Sequence, residues 1–142
     1  MPLPQEYQRA TEQFYHFLTD ARDISDLGSN HLAYTMVQGM LLVFRRRLTL
    51  AQAIRFAGVL PAVLRAIFVA DWNPEEPLRP FQDLSAMNLE VRQLRANHNF
   101  STEHAITDVA TALRRHVDPL AFDNVLLELP ADAVRFWQSR EC

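Results

Sequence analysis

Apolar residues between positions 32 and 48 recur with the spacing of one helix face. They stand at i, i+3, i+4, i+7 and i+11, and they are Val37, Met40, Leu41, Phe44 and Leu48. Such a stripe is typical of an amphipathic helix that packs one face on a core. Ser29 or Asn30 can cap its start, because their side-chain oxygens accept a hydrogen bond from a backbone N–H of the first turn.

The same stripe recurs 69 positions later, as Ile106, Val109, Ala110, Leu113 and Val117. The register continues without a gap, so that Thr49 matches Asp118 and the pair Leu60-Pro61 matches Leu129-Pro130. Self-similarity at a fixed interval indicates one structural unit written twice. We therefore expect 36–68 and 105–137 to adopt similar shapes.

A short helix is predicted after each stripe. Thr49 with Gln52 has the spacing of a capping box, and Asp118 is followed by Pro119, whose missing N–H costs nothing at the first helical position. These helices should end near Gly58 and Glu128. Proline breaks one helix and is preorganised for the next, so a further helix is expected from Pro61 and another from Pro130.

Two more helices are predicted ahead of the repeats, at 5–20 and 80–95, from their apolar spacing. Between the halves, DWNPEEPLRP at 71–80 holds three prolines and two glutamates and is typical of an extended connector. The predicted fold is all-α, with two pseudo-equivalent bundles of about four helices each. The first half is 1–70, the second is 81–142, and we expect them to pack as one compact domain.

Composition narrows the class of protein. A chain of 142 residues that is 49% hydrophobic can bury a core without staples, and its single cysteine, Cys142, offers no disulfide framework. No secretory signal precedes the first helix, and the most apolar stretches are too short to span a bilayer, so a cytoplasmic location is expected. The net charge of −3 argues against general nucleic-acid binding.

The segment RRRLTLAQAIRFAGVLPAVLRAIFVADWNPEEP and its echo RRHVDPLAFDNVLLELPADAVRFW resemble a bacterial family, the domain of unknown function 2267. The residues that match its pattern are Arg46, Leu48, Leu60, Pro61, Trp72, Pro74, Arg115, Leu129, Pro130 and Trp137. The sequence departs from the family at Val59 and Glu128, where glutamine is usual. The resemblance implies a helical fold and an unassigned function, with no catalytic set.

Arginines and aromatic residues at equivalent ends of the two halves form the candidate interaction surface. Its members are Arg45, Arg46, Arg47, Phe68, Trp72, Arg114, Arg115, Phe136 and Trp137. Guanidinium groups can bind oxyanions, but arginines at a helix C-terminus also complement the helix dipole or pair with acids of the other half. The aromatic side chains can pack in the core, form the seam between the halves, or leave an exposed apolar patch.

No catalytic, cofactor or metal motif stands out. The five histidines are His16, His31, His98, His104 and His116, and no HExxH motif is present. The pairs Glu12/His16 and His104/Asp108 lie one helical turn apart and could form two-ligand clamps, although surface hydrogen bonding explains them better. Three acids, Asp20, Asp23 and Asp26, lack the spacing of a calcium loop and indicate a turn. A GxSxG motif and a glycine-rich phosphate loop are both absent from the sequence.

These observations favour a non-enzymatic helical module that binds a protein partner or a second copy of itself. The alternative is a small-ligand or metal sensor with a pocket at the seam between the halves. A third hypothesis, an enzyme with an unrecognised site, would require a cleft holding two or more of Glu12, His16, His104 and Asp108.

Overall fold

The structure is a computed structural model that describes residues 3–94 and 102–140, and within these ranges the chain contains helices and no strand. The all-α class is therefore confirmed. The helices are α1 (Gln5–Gln8), α2 (Ala10–Ile24), α3 (Asn30–Arg45), α4 (Leu50–Ala57), α5 (Ala62–Val69), α6 (Leu84–Gln93), α7 (Ala105–Arg114), α8 (Pro119–Leu127) and α9 (Asp132–Phe136).

The predicted caps set the starts of three helices. The Ser29 hydroxyl accepts a hydrogen bond from the Leu32 N–H at the start of α3. Thr49 and Gln52 exchange both bonds of a capping box at α4. The Asp118 carboxylate accepts from two backbone N–H groups of α8, which begins with proline. Each capping side chain accepts a hydrogen bond from a backbone N–H that has no acceptor within its own helix. Local sequence was therefore enough to predict where these helices begin.

The N-terminal helix differs from its prediction over 5–20. It is broken at Arg9, where φ is −107° and ψ is 12°, and its second part continues to Ile24. The short α1 buries none of its side chains, whereas α2 buries Phe17, Leu18 and Ala21. Burial thus stabilises the longer segment. The helix expected over 80–95 starts later, at Leu84, because Asp83 caps it.

One core serves helices from both ends of the chain. α3 packs against α2, α5, α6 and α7, and α2 also packs against α7. The Phe44 and Phe136 ring centroids are 4.8 Å apart, and the Phe56 ring lies 5.3 Å from that of Trp137. Aromatic pairs at such spacings add to the burial of apolar surface. In the described ranges, no helix is long and apolar enough to span a membrane.

The connector 71–80 contains no helix. It starts at Asp71, which has a left-handed φ of 53° that aspartate tolerates better than most residues. Near its end, the Arg79 N–H donates to the Arg46 carbonyl at 3.0 Å. The connector is therefore fastened to the C-terminal end of α3, where the first arginine run lies.

Candidate functional site

The three arginines of the first run have different surroundings. The Arg47 side chain is 1% exposed, and its guanidinium donates to both carboxylate oxygens of Glu90, at 2.8 and 3.1 Å. It also donates to the carbonyls of Val43 and Pro80. Arg47 thus joins α3 to α6 and to the end of the connector. Of the roles considered for these arginines, Arg47 takes that of pairing with an acid beyond the connector.

Arg46 is held less tightly. Its Nη1 donates to Glu90 at 3.3 Å, and its Nε lies 3.9 Å from the Glu76 carboxylate. The second distance is too long for a hydrogen bond, and this buried Nε has no acceptor. Arg79 adds a third guanidinium at 3.8 Å from Glu90. Burial alone would raise the pKa of the Glu90 carboxyl, but the arginines, chiefly Arg47, outweigh it and lower that pKa.

Arg45 lies beside Trp72. Its Nη1 donates to the carbonyls of Phe68 and Ala70, both at 3.0 Å, and its guanidinium carbon is 5.3 Å from the centre of the Trp72 ring. These bonds satisfy carbonyls at the end of α5, where no helical N–H follows. Desolvation by burial lowers the pKa of Arg45, partly opposed by the charge of Glu76. Trp72 itself is half-buried.

The second run repeats part of this arrangement. The Arg114 Nε donates to the Trp137 carbonyl at 2.7 Å, and its Nη1 donates to Asp123 at 2.8 Å. Arg115 is exposed. The His116 Nε2 lies 2.6 Å from the Asp20 carboxylate of α2. Both runs close their helices at the predicted positions, since α3 ends at Arg45 and α7 ends at Arg114.

Most of the candidate aromatic side chains lie in the core. Phe68 and Phe136 are each 1% exposed, and Trp137 is 0% exposed. These three rings therefore cannot offer a contact surface in this fold, because neighbouring helices already cover them. Of the aromatic candidates, Trp72 alone keeps part of its ring at the surface. The arginines Arg45 and Arg47 are buried as well.

A buried polar network at Asp108 was not expected. Its side chain is 2% exposed and accepts hydrogen bonds from Ser25 at 2.9 Å and Thr102 at 3.2 Å. Arg140 lies 2.6 Å from the other carboxylate oxygen, in an orientation that does not complete a hydrogen bond. The network ties the end of α2 to α7 and to the C-terminal segment. The expectation of a surface position for Asp108 is wrong.

The histidine and acid pairs do not converge on a metal site. Among the described residues, no group of three or more His, Cys, Asp or Glu side chains could hold a metal ion. Glu12 and His16 are exposed. His104 lines a cleft of about 440 Å³ between α6 and α7, away from the buried Asp108 carboxylate. His98 lies outside the described residues. Asp26 has a φ of 55°, which confirms its place in a turn.

The helices α4 and α8, which pack against each other, each carry two exposed apolar residues. On α4, Leu50 and Ile54 are 50% and 62% exposed, and on α8, Leu120 and Leu127 are 70% and 74% exposed. The α4–α8 face consists of these four residues. The helices are joined by Arg55 and Glu128, which form a two-pronged ion pair at the surface. The apolar spacing in the sequence did not predict this exposure, because the four residues belong to helices that also bury apolar residues.

A second feature lies where α2 meets α5 and the end of α7. Two adjoining depressions of about 290 and 300 Å³ share Gln13, Pro61, His116 and Val117. Phe17 lines the first, and its ring meets the His116 ring edge to face at 5.9 Å. We name this the seam groove. It is formed by elements from both ends of the chain.

A family model described as an uncharacterized conserved protein, DUF2267, matches residues 14–136. The matched range runs from within α2 to the end of α9, so it includes both arginine runs and the connector. No protein with a curated description matches the chain.

Proposed function

Because the chain belongs to the DUF2267 family, whose description gives no activity, we propose a function from its surface: the protein is a non-enzymatic helical module that associates with a second copy of itself. The α4–α8 face is the contact. The observation that carries this proposal is the exposure of Leu120 and Leu127, at 70% and 74%, on a helix packed beside another with exposed apolar residues.

Helix spacing supports a shared face on each helix. Leu50 and Ile54 stand four positions apart, and Leu120 and Leu127 seven apart, so each pair lies on one side of its helix. The other side of α4 buries Phe56, and that of α8 buries Phe122. Large apolar side chains grouped on packed helices, rather than scattered singly, are typical of contact surfaces.

Charge favours a copy of the same chain as the occupant. A two-fold dimer apposes the same patch from both subunits, so the patch must complement itself. Arg55 and Glu128 stand side by side at 2.7 Å, and their side chains are 61% and 50% exposed. A two-fold axis that passes beside this ion pair brings Arg55 of one copy towards Glu128 of the other. A rim with a single charge sign would instead repel its copy.

Sedimentation equilibrium tests the proposal with an Ile54→Glu/Leu127→Glu double variant. We expect the wild type to be a concentration-dependent dimer and the variant a monomer, because buried unpaired carboxylates oppose association. Leu89→Glu is the matched control, since Leu89 is 52% exposed on α6 and makes the same chemical change elsewhere. Circular dichroism verifies that each variant stays helical. A monomeric wild type, or equal dissociation in Leu89→Glu, would overturn the proposal.

The seam groove supports a second candidate function, the binding of a small ligand between the two halves. Its lining includes the apolar residues Phe17 and Val117, and His116 supplies a polar group. Apolar clefts with a few polar groups between packed helices are common ligand sites. Native mass spectrometry of freshly purified protein separates the candidates: a bound small mass supports the groove, and a clean dimer supports self-association.

We also propose that 36–68 and 105–137 are copies of one unit. Thr49 and Asp118 cap matched helices, and Arg45 and Arg114 each donate to a carbonyl 23 residues later, at Phe68 and Trp137. Superposition of the two segments in an experimental structure tests this, and unlike shapes would refute it. The proposed setting is the bacterial cytoplasm, which cell fractionation with a specific antibody would check.

A further inference from the structure

A cleft of about 240 Å³ opens between the end of α3, the start of α4 and the connector. We name it the arginine cleft and define it by Arg45, Arg46, Trp72 and Glu76, with Leu50 also in its lining. Its volume lies below the roughly 300–1,000 Å³ of sites for drug-sized ligands. The cleft therefore suits a smaller molecule.

The arginines around the cleft are unequally satisfied. Glu90 receives two bonds of 2.8 and 3.1 Å from Arg47, and a single longer one of 3.3 Å from Arg46. For the Arg46 Nε, the Glu76 carboxylate lies at 3.9 Å, which is too far for a hydrogen bond. A buried N–H without an acceptor costs free energy, so Arg46 favours a carboxylate that can approach closely.

Glu76 indicates the chemistry of the ligand. It belongs to the connector, its side chain is 40% exposed, and it already places a carboxylate near Arg46 without closing onto it. A free carboxylate is not tethered by the connector and can adopt the forked geometry that a guanidinium prefers. Glu76 is thus a weakly held internal competitor at this position.

The walls of the cleft favour a flat apolar group. Trp72 is half-buried, and the Arg45 guanidinium carbon lies over its ring at 5.3 Å from the ring centre. Leu50 also lines the cleft and is 50% exposed. Aromatic rings pack well against tryptophan and against leucine, and such contacts add to an ion pair at low cost in conformational freedom.

We propose that the arginine cleft binds a small organic carboxylate that carries a ring, with the carboxylate replacing Glu76 at Arg46 and the ring packing against Trp72. This site shares Leu50 with the α4–α8 face, but its proposed ligand contacts are at Arg46 and Trp72, so failure of the cleft proposal would leave self-association intact. Benzoate is the probe, and benzamide, with the same shape and no charge, is its control.

Fluorescence titration reports on the cleft directly, because the chain has two tryptophans and Trp137 is 0% exposed. We expect benzoate to change Trp72 emission saturably and benzamide to bind at least about tenfold more weakly, as the loss of a charged hydrogen bond implies. Trp72→Phe, which keeps a ring, should abolish the fluorescence change while calorimetry still records binding. Equal binding of benzamide, or an emission change that survives in Trp72→Phe, would overturn the proposal.

Charge variants complete the test. Arg46→Gln should weaken benzoate binding at least about tenfold. Glu76→Gln should tighten it several-fold, because the internal competitor is gone. Glu75→Gln removes the same charge from an adjacent exposed residue and should leave the affinity close to that of the wild type. Because Glu76→Gln is expected to gain affinity, the proposal does not depend on a loss that unfolding could mimic. Equal affinities of Glu76→Gln and Glu75→Gln would refute it.

Discussion

Replacement of Glu90 by glutamine tests whether the buried arginine network holds the fold together. The Glu90 side chain is 15% exposed and that of Arg47 is 1% exposed, so both charges are largely removed from water. Glutamine keeps the shape of the side chain and one acceptor oxygen. It removes the negative charge and points an NH₂ group at guanidinium donors, which leaves the Arg47 charge uncompensated.

The expected cost is about 3 kcal/mol in the free energy of unfolding, at the lower end of the roughly 3–5 kcal/mol for removal of one partner of a buried pair. The comparison is Glu128→Gln, which breaks the pair with Arg55, whose side chains are 61% and 50% exposed. Solvent screens that pair, so its loss should cost about 0.2–1 kcal/mol. Domains are stable by about 5–15 kcal/mol, so both variants should still fold.

Urea denaturation followed by circular dichroism, repeated across pH, measures both costs. The arginines lower the pKa of Glu90 below 4.5 despite its burial. A lowered pKa in the folded state stabilises the protein above the unfolded value, and this stabilisation is lost as the pH falls through the folded pKa. The difference between wild type and Glu90→Gln should therefore shrink below pH 4.5. Equal costs for Glu90→Gln and Glu128→Gln would refute the reasoning from burial.

Five further substitutions, at four positions, test the core and the caps by the same denaturation assay. Asp108→Asn should cost about 2–3 kcal/mol, because it weakens charged hydrogen bonds at a side chain that is 2% exposed; a change below Glu128→Gln would contradict this. Thr49→Ala and Asp118→Ala should each cost about 1 kcal/mol through loss of a cap, and no loss at either position would show that the capping bonds are dispensable. Trp137→Ala should lower the free energy of unfolding by about 3–5 kcal/mol. Trp137→Phe should cost much less, because the tryptophan Nε1 that it removes is buried and has no acceptor. Similar costs for the two variants would show that the indole N–H is satisfied.

The helix boundaries could be predicted because local chemistry decides them. Thr49 and Asp118 satisfy backbone donors within their own turns, and this needs no knowledge of the rest of the chain. The stripe from Val37 to Phe44 is likewise buried, as its spacing requires. The break at Arg9 could not be predicted, because the burial of α2 against α7 decides which part of the N-terminal segment stays in one helix.

The partners and burial of individual side chains depend on residues that are distant in sequence. Arg45 and Arg47 adjoin Arg46, yet one caps the end of α5 and another binds α6. Asp108 accepts a hydrogen bond from Ser25, which lies 83 residues away along the chain. Such pairings cannot be predicted from composition or from the spacing of residues. The recurrence of the apolar stripe 69 positions later predicted the matched ends of α3 and α7, while the exposed residues of α4 and α8 became visible only when the helices were placed.

The connector joins the stability network to the arginine cleft. Arg47 fixes the C-terminal end of the connector by donating to the Pro80 carbonyl at 3.1 Å. Glu76, which lines the cleft, lies earlier in the same connector. Glu90 does not line the cleft, but it accepts a hydrogen bond from Arg46 at 3.3 Å and so competes with a bound carboxylate for that guanidinium. Glu90→Gln should therefore tighten benzoate binding several-fold by removing a negative charge from Arg46, while Glu128→Gln leaves the affinity unchanged. A weaker or unaltered benzoate affinity in folded Glu90→Gln would refute this competition.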